Sequence, residues 1–141
     1  MFMGILKGVN LKRLTAAIAA VFVYIFISDM VIHAWLLAGA YAATASAWRS
    51  QEQMQAFFPW MLLGQFIIAK YFVILFAKGY EGKGIAEGVR FGALMGLFCI
   101  GGNFIQYSVY PISLTVVLSW CALGLLQSIL GGVIASLIYK K

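Results

Sequence analysis

The sequence predicts an all-α integral membrane four-helix bundle, antiparallel and up-down, with both termini cytoplasmic. Three observations carry that expectation. First, 64% of the 141 residues are hydrophobic and 10% are charged, with a mean hydropathy of +0.97. A soluble domain carries about 25% charged residues, so this chain has too little polar surface to coat a soluble globule. Second, four apolar runs each approach the roughly 20 residues needed to cross hydrocarbon. Third, Lys7, Lys12, Arg13, Lys78, Lys83, Arg90, Lys140 and Lys141 fall on one side of the alternating spans, and only Arg49 on the other. Lys and Arg in short connections favour the cytoplasmic side. The net charge of +6 thus reads as a topology signal, and no nucleic-acid partner is expected. The expected setting is the bacterial inner membrane, crossed several times, with the lipid bilayer as the first partner.

The chain reads as a single transmembrane domain over residues 1–141. Residues 1–13 are an amphipathic basic lead, with Phe2, Ile5, Leu6, Val9 and Leu11 against Lys7, Lys12 and Arg13. Such a segment suits the headgroup layer; a frayed basic tail is the plain alternative. The apolar run that follows exceeds the ~7–15 residues of a signal-peptide core, so a retained first span is expected at about 14–37. It contains Asp29, one of four acidic residues, and His33, the single histidine. Residues 38–48 are small and weakly polar. They either prolong the first helix or fold back at the surface, anchored by Tyr41 and Trp48. Residues 40–55 form the outer loop.

The second span runs about 57–77, with Pro59 expected in its first turn, where its missing N–H costs nothing. It carries Gln65 and Lys70. The cluster K-G-Y-E-G-K-G, residues 78–84, is a turn. The third span runs about 85–107, with Glu87 favourable near its N-terminus through the helix dipole. The short Y-P-I-S connection leads to the fourth span at about 113–139.

Small residues recur four apart in two spans: Gly88, Gly92 and Gly96 in the third, and Gly124, Ser128, Gly132 and Ser136 in the fourth. Ridges of this kind let helix backbones approach closely. With a short connection between them, the third and fourth spans are expected to be the tightest pair; an oligomer surface is the alternative. Cys99 and Cys121 both lie in apolar runs and read as small buried hydrophobes.

An ionisable side chain at membrane depth costs about 2.5–3.5 kcal/mol on insertion scales, so Asp29 needs a partner, a wet cavity or the interface. At 1.5 Å per residue, Asp29 lies about 24 Å from Arg13, Asn103 about 22 Å from Gly88 and Gln65 about 20 Å from Lys78. Asp29, His33, Gln65, Asn103, Gln106 and Tyr107 are therefore the candidates for one polar layer below the outer interface, with Ser119 as a further member. The plain alternative is that His33, Gln106 and Tyr107 are interfacial residues satisfied by water. Lys70 is the other intramembrane charge, about 12 Å from Lys78. It either snorkels or lines a cavity with Tyr24 or Gln127.

The sequence offers no catalytic set. One histidine excludes a multi-histidine metal site, and Asp29 with His33 gives zinc only two ligands. No phosphate-binding loop follows a strand, and Ser28 is expected to diverge from its neighbour Asp29 on a helix. No cofactor is expected, a single metal or tetrapyrrole at His33 being the remote alternative.

D-x-x-x-H at Asp29–His33, T-x-x-x-W-R at Thr44–Arg49, P-W-M-L-L-G-Q at Pro59–Gln65, K-G-Y-E-G-K-G-x-x-E-G-V-R-F-G at Lys78–Gly92 and the late Y-x-x-Y-P together resemble a group of uncharacterised small bacterial four-span membrane proteins. The resemblance implies a bacterial origin and a four-span fold. It implies no activity and transfers no catalytic residue. The first functional expectation is accordingly a non-enzymatic subunit of a membrane complex or homo-oligomer. The second is a carrier or channel for a proton, ion or small solute working through Asp29 and His33. An enzyme acting on lipid or quinone comes last.

Overall fold

In a computed structural model, residues 8–141 are described; the lead at residues 1–7 lies outside them. The described residues are all-helical. Helix α1, Leu11–Asp29, starts where the Asn10 side chain accepts a hydrogen bond from Arg13 N at 3.1 Å, an N-cap that satisfies one orphan donor of the first turn. The same rod continues as a π-helical segment, Met30–Leu36. There follow α2, Ala38–Ala42, a 3₁₀ turn, Ala45–Ala47, and the three long helices α3, Gln51–Lys78, α4, Ile85–Val109, and α5, Leu114–Ile138. Four rods are long and apolar enough to cross a membrane: Leu11–Leu36, Gln51–Lys78, Ile85–Val109 and Leu114–Ile138. Their outer surfaces fit that setting. Trp35 and Phe98 are 79% and 80% exposed amid many other exposed apolar side chains, far more than a soluble monomer shows.

The start of α3 departs from the sequence expectation. Ser50 accepts from Gln53 N, and the Gln53 side chain accepts from Ser50 N, a reciprocal cap that starts the helix at Gln51. Pro59 therefore lies inside the helix rather than in its first turn. The stretch expected as a loop at residues 40–55 is also more helical than that, since α2 and the 3₁₀ turn occupy part of it.

The apolar core lies toward one end of the bundle. Leu14, Ala17 and Val21 of α1 pack there with Ala69, Phe72, Val73, Phe76 and Ala77 of α3, and with Ala135 and Tyr139 at the end of α5. Phe91 of α4 closes it edge-on, 4.8 Å from the Phe72 ring and 5.4 Å from that of Phe76. In lipid this packing is held by dispersion rather than by removal from water.

Helices α4 and α5 share the most extensive contact in the molecule. A Cβ built on Gly88 would strike Gly132 O and come within 2.6 Å of Ser136 Oγ; one on Gly92 would strike Ser128 O; one on Gly132 would strike Gly88 O. A Cβ on Gly96 would come within 2.8 Å of Leu125 Cδ1. At Gly88, Gly92 and Gly132 the atoms struck are backbone, and hydrogen is the only side chain these three positions admit. Gly124 does not share that role, because a Cβ there would meet nothing within 4 Å. The four-residue spacing identifies a ridge but not where along it the two helices part. Cys99 is exposed and Cys121 half-buried, and both are free; the expectation of burial fails for Cys99, which faces outward from α4.

Between α3 and α4 the chain turns under control of one carboxylate. Glu87 is buried; its two oxygens accept from Glu81 N at 2.7 Å and Lys83 N at 2.8 Å. Its main work is thus to tie down the turn before α4. Glu81 pairs with Lys83 and, at 3.6 Å, with Arg90. The hydrogen bond and charge of Lys83 hold its exposed carboxyl below the usual carboxylate range.

Candidate functional site

Asp29 is the last residue of α1 before the π-helical segment. Its carboxylate is gripped from two other helices. Gln65 Nε2 of α3 donates to Oδ2 at 2.6 Å, and Gln127 Nε2 of α5 donates to Oδ1 at 2.7 Å. Gln127 Nε2 also donates to Ser28 Oγ at 2.7 Å, and Ser28 in turn donates to Tyr24 O at 2.7 Å. Tyr24 OH closes the ring on Gln127 O at 3.2 Å. The partners of the carboxylate are neutral amides. Among the described residues the ion pairs all involve Glu81, so no cation offsets Asp29. Gln65 is 5% exposed, and its Oε1 has no hydrogen-bond partner among the described residues.

The winding changes just past Asp29. Ser28 Oγ bonds back to Tyr24 O and Ile25 O, and this side-chain competition for carbonyls loosens a helix. One turn later the ladder widens: Leu37 N donates to Ile32 O at 2.9 Å, five residues back. Widened turns of this type recur at functional sites.

Beyond Asp29 a second polar group forms. His33 Nδ1 lies 2.6 Å from Tyr41 OH, which accepts from Trp120 Nε1 at 2.7 Å. The indole can only donate, so the phenol hydrogen is free to go to His33 Nδ1. That arrangement leaves the ring hydrogen of neutral His33 on Nε2. Trp48 packs edge-on against Tyr41 at 5.1 Å and Trp120 at 6.0 Å, and donates to Thr44 Oγ1 at 3.0 Å. Burial pushes the Tyr41 phenol pKa upward. Beside this cluster opens a cleft of about 420 Å³, bordered by Trp48, Arg49, Gln106, Tyr110 and Trp120.

Of the residues singled out by depth, only Asp29 and Gln65 meet directly. His33 faces the aromatic cluster instead. Asn103 lies with its amide 3.7 Å from Cys121 Sγ. Gln106 and Tyr107 are exposed, and Ser119 Oγ bonds back to Thr115 O. The single polar layer therefore resolves into separate groups, because helical rise fixes depth but not the direction a side chain takes. Lys70 does not join Tyr24 or Gln127, which bond to each other; its ammonium stands 5.6 Å from the Tyr71 ring centre. Two members were missed. Ser28 does share a partner with Asp29, since the two hydrogens of one amide reach both. Gln127 was legible by the same depth rule, about 20 Å from Lys140. The described residues bring no three His, Cys, Asp or Glu side chains together as metal ligands.

No family model, curated protein or solved structure matches the chain.

Proposed function

We propose that this protein is a small bacterial inner-membrane carrier or channel subunit for a proton, small ion or small solute, with Asp29 as its working group. The observation that carries this reading is a carboxylate within a membrane-spanning rod, held from two other spans by neutral amides and paired with no cation. A purely structural polar contact would need only neutral partners, because leaving a charge without a countercharge at this depth is costly. The same proposal takes the spans as antiparallel with both termini cytoplasmic. The register of Gly88 on Gly132, Gly92 on Ser128 and Gly96 on Leu125 supports the antiparallel sense, and the lysine bias supports the orientation. Four spans enclose little volume, so the working unit is an oligomer or a larger membrane complex. Kinship with the small four-span group belongs to the same proposal.

The test is flux in proteoliposomes. Wild type carries the solute down an imposed gradient, and Asp29→Asn loses at least about tenfold, the size of a ~1.4 kcal/mol effect. Equal flux in wild type and Asp29→Asn rejects the carrier reading.

A further inference from the structure

We propose that the species taken at Asp29 is a proton, shared between the carboxyl and the Gln65 amide, and that Gln65 turns its amide over when the proton arrives. This rests on the reading of Asp29 as the working group. Two observations carry it. Gln65 is 5% exposed and its Oε1 is buried without a partner, although a buried acceptor in a medium without water ordinarily has one. And the contact from Gln65 to Asp29 Oδ2 is 2.6 Å. That is short for N–H···O and within the ~2.5–3.0 Å of O–H···O.

The two ends of a glutamine amide have nearly the same shape and exchange by a half turn. With Asp29 ionised, Nε2 donates to the carboxylate. With Asp29 protonated, the carboxyl O–H donates to Oε1 of the turned amide at the same separation. Each state keeps one hydrogen bond, and no helix has to move. The chemistry balances as one proton added to one carboxylate oxygen, with no other bond made or broken.

Gln127 cannot act this way. Its Nε2 is held by both Ser28 Oγ and Asp29 Oδ1, so it stays a donor in either state. The site therefore has one fixed donor and one reversible partner. A metal cation fits poorly, since it needs several oxygens at about 2.0–2.6 Å. Both Asp29 oxygens already accept amide hydrogens, and 2.6 Å between Gln65 and Asp29 leaves no space for an ion between them. The groups bonded to Asp29 are Gln65 from α3 and Gln127 from α5; Ser28 and Tyr24 of its own rod join through Gln127, and His33, one turn on, is bonded to Tyr41.

Infrared difference spectra between acidic and alkaline pH test this in the full chain reconstituted in liposomes. The expected result is a protonated carboxyl band that is absent in Asp29→Asn. It is accompanied by a glutamine amide carbonyl change that moves on ¹³C-glutamine labelling. In Gln65→Met the carboxyl band shifts to higher frequency, as an acid without an acceptor, while in Gln127→Met it keeps its wild-type position. A carboxyl band without any labelled amide change overturns the proposal, and that measurement needs no variant to fold. So does loss of the band on adding sodium chloride at constant pH, which makes a metal ion the ligand. Absence of flux together with the expected bands removes the carrier reading and leaves the proton site standing.

Discussion

Two helix contacts in this protein are built on opposite principles. Where α4 meets α5, backbone lies on backbone, and Gly88, Gly92 and Gly132 leave no side chain between them. Where α1 meets α3 and α5 near Asp29, side chains do the joining, through Gln65, Gln127, Ser28 and Tyr24. The first contact is closed mainly by backbone atoms, which cannot rotate aside. The second is made of amides and hydroxyls whose hydrogens can be redirected without moving a helix. The contrast assigns rigidity to one pair and chemistry to the other.

The sharpest way to break the contrast is Gly132→Val. Its Cβ would strike Gly88 O, and a carbonyl on a packed helix cannot swing aside. Overpacking costs about 1–3 kcal/mol even where neighbours yield, so about 3 kcal/mol or more is expected here. Loss of the monodisperse peak in mild detergent and a lowered denaturation midpoint would register it. Asp29→Leu comes next. It strands the buried Gln65 amide, at about 1–3 kcal/mol, whereas Asp29→Asn keeps the size and most hydrogen bonds and stays within about 1 kcal/mol of wild type; chemical denaturation of both variants checks the order.

Tyr41→Phe removes the hydroxyl shared by His33 and Trp120 and should cost about 1 kcal/mol, with a change in Trp120 fluorescence. The sign of its pH dependence is fixed. Burial raises the phenol pKa in the folded chain, so its contribution is complete below the ordinary tyrosine range. It is lost as pH rises through the higher folded value, and Tyr41→Phe should flatten that alkaline decline in stability. The smallest effect is Gly124→Ala. The new methyl meets nothing within 4 Å, and replacing a helical glycine gains up to about 1 kcal/mol. A loss there would mean that the glycine contact extends further along α5 than its geometry indicates.

Much of the scaffold was legible from composition alone, because hydrocarbon imposes length and apolarity on any crossing helix. The four rods and the close approach of Gly88, Gly92 and Gly132 follow from such general demands. The site was legible in one coordinate only. Rise per residue put Asp29 and Gln65 at one level, and they meet. It also put Asn103 there, yet Asn103 turns to Cys121. The direction of a side chain depends on how each rod is rotated, and rotation is set by packing that one chain does not spell out. The widened turn after Asp29 was invisible for another reason. Ser28 bonds back to carbonyls just before it, but so do Thr15, Ser119 and Ser136 in turns of ordinary winding, so no residue type marks the place.

That widened turn makes the first rod a joint of two differently phased cylinders. Winding the same residues, Met30 to Leu36, as an ordinary α-helix would swing everything downstream by about 100°, the angular step of one α-helical residue. Asp29 would keep its two amides, while Trp35 and the chain leading to Tyr41 would be re-aimed around the rod. The winding of this short segment thus sets how the Asp29 end of the rod is indexed against the aromatic cluster.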